Sequence, residues 1–139
     1  MVIQRIQSVY LLIVTILMAI YSFMDVVLIQ TSAEVMQKLS LFDASAVSFI
    51  LSLLVAVLSC ITIFKFKQLN VQILLSCVCI LLSITQLTIL AIEILSQYFV
   101  STEFFICNIM PVISIILLIL SIAAIKRDKK ILSSYDRLR

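Results

Sequence analysis

Glycine, histidine and tryptophan are absent from these 139 residues, and proline occurs once. Each absence removes a class of chemistry. Without glycine there is no phosphate-cradling loop, no dinucleotide fingerprint, no G-x-S-x-G nucleophile elbow and no G-x-x-x-G dimer face. Without histidine there is no zinc-hydrolase signature and no Ser-His pair. Aspartate is missing from every long apolar run, which excludes an intramembrane aspartate dyad. Transporters commonly place their sites at helices broken by glycine or proline, in paired repeats. Here only Pro111 interrupts a run, where it fits a first helical turn or a slight kink. No catalytic, cofactor-binding or metal-binding residue is assigned, and the chain is read as a non-enzyme.

Charge is the other scarcity, at 12% of residues against 64% hydrophobic. Soluble domains carry about twice that charge and about half apolar residues. The apolar residues fall in four runs, Ile6 to Met24, Ala44 to Phe64, Gln68 to Ile92 and Phe104 to Ile125. Each is close to the ~20 residues a helix needs to cross a ~30 Å hydrocarbon layer. The expectation is an all-α membrane protein and a single transmembrane domain over 1–139. It has four transmembrane helices, at about 6–28, 44–64, 69–96 and 104–125, in an up-down antiparallel bundle. Residues 126–139 form a basic tail. A secretory signal peptide is the alternative for the first run, with Arg5 before it and the small Ala19 within it, but the run is long for a signal-peptide core and lacks an A-x-A-like site.

Basic residues orient this layout. Arg5, Lys65, Lys67 and the six of the tail share one side, and Lys38 alone lies opposite. Cytoplasmic loops collect Lys and Arg, so both termini are expected in the cytoplasm of a bacterial inner membrane. The formal net charge of +3 is then an asymmetry across a bilayer, with anionic headgroups as partners and no nucleic acid.

Between the first two runs, Thr31 and Glu34 read as a capping box, and Val35, Met36, Leu39 and Phe42 recur at helical spacing. This predicts a short helix on the outer surface, with an irregular loop as the alternative. The "KFKQLN" connection is short enough to force runs two and three into an antiparallel hairpin.

Polar residues within the runs are ordered. Gln72, Ser76, Cys79, Ser83, Gln86, Glu93 and Gln97 alternate four and three apart, with Leu90 filling one step. Cys107, Pro111, Ser114 and Ser121 repeat the pattern in run four, as do Ser8, Thr15, Ala19 and Ser22 in run one. A sustained 3.5-residue period keeps one stripe facing its neighbours. Run two instead carries Ala44, Ser48, Ser52, Ala56 and Cys60, a small-residue ridge that lets another backbone approach closely. The seam of Gln72, Ser76, Ser83, Gln86 and Glu93 has two readings, interhelical hydrogen bonding or a hydrophilic path through a homo-oligomer. Glu93 has two as well, a headgroup-level acid or an intramembrane carboxylate carrying protons or ions. Cys77 and Cys79 point to different sides of a helix and form no C-x-x-C pair.

In the tail, Lys126, Arg127, Lys129 and Lys130 form a stop-transfer cluster. Ser133 and Asp136 fit a capping box, and Ile131, Tyr135 and Leu138 fall at i, i+4 and i+7, which describes a short amphipathic helix. Arg5 and Asp136 share a membrane face, and a tail folded back beneath the bundle brings them together, with Gln4 and Gln7 adding amide contacts. Arg5, Asp136, Arg137, Leu138 and Arg139 are the candidate interaction residues, for a membrane-protein partner.

The stretches "IQRIQSVYLL" from Ile3, "FKFKQLNVQ" from Phe64, and Pro111 followed by "AIKRDKKILSSYDRLR" resemble an uncharacterised family of small four-span inner-membrane proteins from Bacteroidota, a domain of unknown function. In this chain Lys129 stands where that family commonly has an acid and Ser133 where it has a base. The resemblance implies location and fold and no established activity.

Overall fold

In the computed structural model, the described residues are 3–30, 36–41, 46–65, 67–96 and 109–136, with side chains described for 6–24, 41, 46–65, 67–89, 91–92 and 109–134. Among them are four helices and one two-stranded sheet. In chain order they are α1 (Ile3–Ser22), β1 (Asp25–Gln30), β2 (Met36–Ser40), α2 (Ala46–Phe64), α3 (Leu69–Ser96) and α4 (Ile109–Asp136).

Three helices are long and apolar enough to cross a membrane, over Ala46–Phe64, Leu69–Ile89 and Ile109–Ser134, while Ile6–Ser22 in α1 is a shorter apolar helix. The first span therefore stops short of the expected residue 28. Its last turn tightens as the Phe23 and Met24 amides donate to the Ile20 and Tyr21 carbonyls. Beyond it Val26, Val27 and Ile29 are β-branched, losing rotamer freedom in a helix and suiting a strand.

The expected surface helix is likewise replaced by a strand pair. β1 pairs antiparallel with β2 in the register Val27 to Leu39, Leu28 to Lys38, Ile29 to Gln37 and Gln30 to Met36, with an irregularity between Asp25 and Val27. Apolar recurrence in so short a window does not separate helix from strand, and cross-strand pairing with Val27–Ile29 decided it. The capping box at Thr31 and Glu34 lies outside the described residues.

α2 and α3 are joined by a tight turn in which the Lys65 amide donates to Ile61 and Thr62, and the Gln68 amide to Lys65. Substantial contacts run from α1 to α2, α2 to α3, α3 to α4 and α4 to α1, which closes a ring. The hydrogen-bonded pairs give direction. Thr15 meets Ser59 and Ser22 meets Ser52, so numbering rises along α1 as it falls along α2.

The buried positions repeat every 3.5 residues on all four helices. They are Gln7, Leu11, Val14, Met18 and Tyr21 on α1, and Ser48, Ser52, Val55, Ser59 and Thr62 on α2. On α3 they are Gln72, Ser76, Cys79, Ser83 and Gln86. On α4 they are Pro111, Ser114, Leu118, Ser121, Ile125 and Asp128. Leu11, Val14, Met18, Val55, Ala56, Cys79 and Leu118 make the apolar middle of the core. Outward, the helices present large aliphatic side chains such as Leu12, Ile16, Ile50, Leu74, Leu81 and Ile116, each at least half exposed. Only 28–33% of the membrane-length windows is buried, so most of their apolar surface faces out.

α4 also departs from expectation. Helix continues unbroken past Ile125 to Asp136, so residues 126–136 extend the axis of the fourth helix and do not fold back beneath the bundle. At 1.5 Å per residue its 28 residues span about 42 Å, well over the hydrocarbon thickness. Pro111 sits in its first turn, where a missing N–H leaves no helical partner wanting.

Candidate functional site

A polar cluster lies where the N-terminal end of α1, the start of α3 and the projecting end of α4 meet. Continuing the 3.5-residue stripe of α4 from Ser121 and Ile125 puts Asp128 inward, and it is only 5% exposed although Arg127 and Lys129 beside it are exposed. Gln7, 2% exposed, donates from Nε2 to Asp128 Oδ2 at 2.5 Å. On the neighbouring side Lys129 Nζ donates to Asn70 Oδ1 at 2.7 Å. The projecting end of α4 is thus held by α1 through one residue and by α3 through the next.

Burying a carboxylate is costly unless it is hydrogen-bonded. Gln7 supplies one donor, while Asp128 Oδ1 and Gln7 Oε1 have no hydrogen-bond partner among the described residues. Gln72 is buried with its Oε1 in the same condition.

A second polar set lines the interface of α1 and α2. Thr15 Oγ1 lies 2.8 Å from Ser59 Oγ, and Ser22 Oγ lies 2.7 Å from Ser52 Oγ. Each hydroxyl also approaches a carbonyl of its own helix, Leu11 and Ala56 for the first pair and Met18 and Phe49 for the second. Two protons serve three short contacts in each pair, so the hydroxyls are tied to their helices as well as to one another. Phe23 and Phe49 close this end in a T-shaped contact at 6.1 Å.

The seam residues of α3 sit on one face. Gln72, Ser76, Ser83 and Gln86 are all buried. Ser76 and Ser83 donate to the carbonyls of Gln72 and Cys79, four residues back. Neither amide atom of Gln86 has a partner among the described residues. Glu93 is in the last turns of α3, with its side chain outside the described set. Ser48, Ser52 and Ala56 of the α2 ridge are buried, Cys60 is half-buried and Ala44 lies outside the description. The thiols of Cys60, Cys77 and Cys79 are free.

Of the tail candidates, Asp136 ends α4 and Arg5 is in the first turns of α1, both without described side chains, and Arg137, Leu138 and Arg139 lie outside the description. The residue that sequence reasoning passed over is Asp128. Its signal was present in the heptad count Ser114, Ser121, Asp128, but the surrounding lysines and Arg127 made the segment read as a solvated charge cluster. Among the described residues no group of three or more His, Cys, Asp or Glu is placed to hold a metal ion.

No curated protein and no solved structure matches this chain. A family profile matches residues 3–138, nearly its whole length. This chain, a closed ring of helices with aliphatic outer faces, is matched over residues 3–138 by that profile and therefore belongs to the family described as Domain of unknown function (DUF4293).

Proposed function

We propose that this chain is a multi-pass protein of a bacterial inner membrane with both termini in the cytoplasm. In this reading its role is non-enzymatic, packing as an accessory component against other membrane proteins. The observation that carries the reading is the placement of polarity: most of the described serines and glutamines of the helices lie inside the ring around its apolar middle, and large aliphatic side chains cover the outside. Contiguous apolar surface on this scale is avoided in water and is normal against lipid or another membrane protein. The 20 residues of α1 reach about 30 Å, which supports a fourth crossing beside the three longer helices. The basic ends then fall on the cytoplasmic side. Small-residue packing and hydroxyl pairs between α1 and α2 support a bundle built for rigidity.

The test is site-specific photo-crosslinking in native membranes from outward positions on each helix, for example Leu74 and Leu81 of α3. Crosslinks to one membrane protein, confined to one helix face, support the accessory role. Self-crosslinks alone turn attention to a second reading.

That second reading is a small homo-oligomeric channel or transporter, favoured by the buried amide of Gln86, which lacks a partner among the described residues. Flux in reconstituted vesicles that is lost in Gln86→Leu or Glu93→Gln would support it over the accessory role.

A further inference from the structure

Between α1 and α4, on the outer side of the ring, runs a groove of about 250 Å³ lined by Ile6, Tyr10, Leu120, Ala123, Ala124 and Arg127. Its floor is apolar because Ala123 and Ala124 leave room where larger side chains elsewhere on α4 fill the surface. At about 250 Å³ the groove is smaller than the roughly 300–1,000 Å³ of sites for drug-sized ligands, and holds less than a single turn of a partner helix of ~10 Å diameter and ~5.4 Å pitch. A slender unbranched chain fits it.

Charge selects the occupant. Leu120, Ala124 and Arg127 follow one another along one face of α4, with Arg127 at the end towards the projecting, charged part of the helix. Seven residues separate Leu120 from Arg127, or about 10 Å along the axis. Lys130 follows at i+3 from Arg127, so it is on the same face and is exposed. One residue on, about 100° around the helix, Asp128 faces inward and is engaged by Gln7, while Arg127 stays exposed. A groove that is apolar along its length and cationic at its cytoplasmic end matches an acyl chain joined to an anionic headgroup. We infer that the α1/α4 groove is a binding site for an anionic phospholipid, with an acyl chain along Ile6, Leu120, Ala123 and Ala124 and the headgroup phosphate at Arg127, supported by Lys130. Basic pockets between membrane helices on the cytoplasmic side recognise headgroups in this way. The guanidinium offers a planar pair of donors to phosphate that a lysine cannot.

This inference rests on the membrane placement proposed above and not on any protein partner. The test uses the full chain in nanodiscs of phosphatidylglycerol and phosphatidylcholine, released into native mass spectrometry to count retained lipids. The wild type is expected to retain phosphatidylglycerol in clear preference to phosphatidylcholine. Arg127→Gln is expected to cut that preference about fivefold, the effect of one near-surface basic charge. Ala124→Leu, which fills the groove and leaves every charge in place, is expected to lose the retained lipid as well, while Ala124→Ser keeps it. Circular dichroism on each variant separates loss of the site from loss of the fold. Equal retention of both lipids, or retention unchanged in both Arg127→Gln and Ala124→Leu, overturns the site. A chain that stays soluble without lipid or detergent and never enters the nanodisc overturns the membrane placement along with it.

Discussion

Gln7 and Asp128, 121 residues apart in sequence, meet at 2.5 Å with the amide donating to the carboxylate, and so bind the start of the chain to the projecting end of its last helix. The carboxylate is set inward from a run of exposed cations, on the same buried stripe of α4 as Ser114, Leu118, Ser121 and Ile125. Arg127, one residue earlier, stays exposed.

Removing the donor leaves the acid buried without it. Gln7→Ala is expected to destabilise the bundle by roughly 1–3 kcal/mol, the cost of an orphaned buried polar group. The double variant Gln7→Leu with Asp128→Leu leaves neither partner wanting and is expected to recover most of that loss. Unfolding curves in mixed micelles for both singles and the double give the coupling directly, and strict additivity would count against the pair.

The hydroxyl pairs between α1 and α2 are each expected to contribute little. Ser22→Ala or Ser59→Ala should cost ~0.6 kcal/mol, the average for polar contacts between membrane helices. Each pair is also tied to carbonyls of its own helices, so the double variant Ser22→Ala with Ser52→Ala is expected to cost less than the two singles added. The same unfolding assay measures both.

Close approach along α2 makes a steric prediction. Ala56 is 6% exposed within the apolar core and the adjacent Val57 is 56% exposed. Ala56→Leu is expected to lose ~1–3 kcal/mol by overpacking. Val57→Leu should stay within about 0.5 kcal/mol, as surface changes do. Equal effects at the two positions would show that α2 is rotated from its described setting.

Gln86 separates structure from transport. With both amide atoms unpartnered among the described residues, Gln86→Leu is expected to leave stability unchanged or raise it, because an apolar side chain of similar size has no polar group to satisfy. A loss of stability on this change would mean that the amide has a partner in the folded protein.

Much of the architecture is legible in the chain because bilayer thickness and helical rise leave few solutions for apolar runs of this length. The spacing of Gln72, Ser76, Cys79, Ser83 and Gln86 carries its own period, so the face they share can be counted from sequence. The segment after Ser22 was not legible in the same way. Val26, Val27 and Ile29 extend an apolar run that reads as helix, and their strand conformation depends on pairing with a separate segment, Val27 with Leu39 and Ile29 with Gln37. Asp128 was hidden for a related reason: one acid among four bases reads as solvated, and only its angular position on a continuing helix marks it as buried.

By itself, then, the sequence determined how many apolar helices the chain forms, which stripe of α3 and of α4 turns inward, and what catalytic chemistry its missing residues withhold. These are properties of single segments, set by composition and by a period of 3.5 or 3.6 residues. On α1 the buried stripe is Gln7, Leu11, Val14, Met18 and Tyr21, one residue off the expected Ser8, Thr15, Ala19 and Ser22. Tertiary structure alone decided where α1 stops and a strand begins, how far α4 runs, which acid faces inward, and that α1 and α4 leave a groove ending at Arg127. Those outcomes belong to pairs of segments distant in the chain, whose contact energies are defined only once the helices stand side by side.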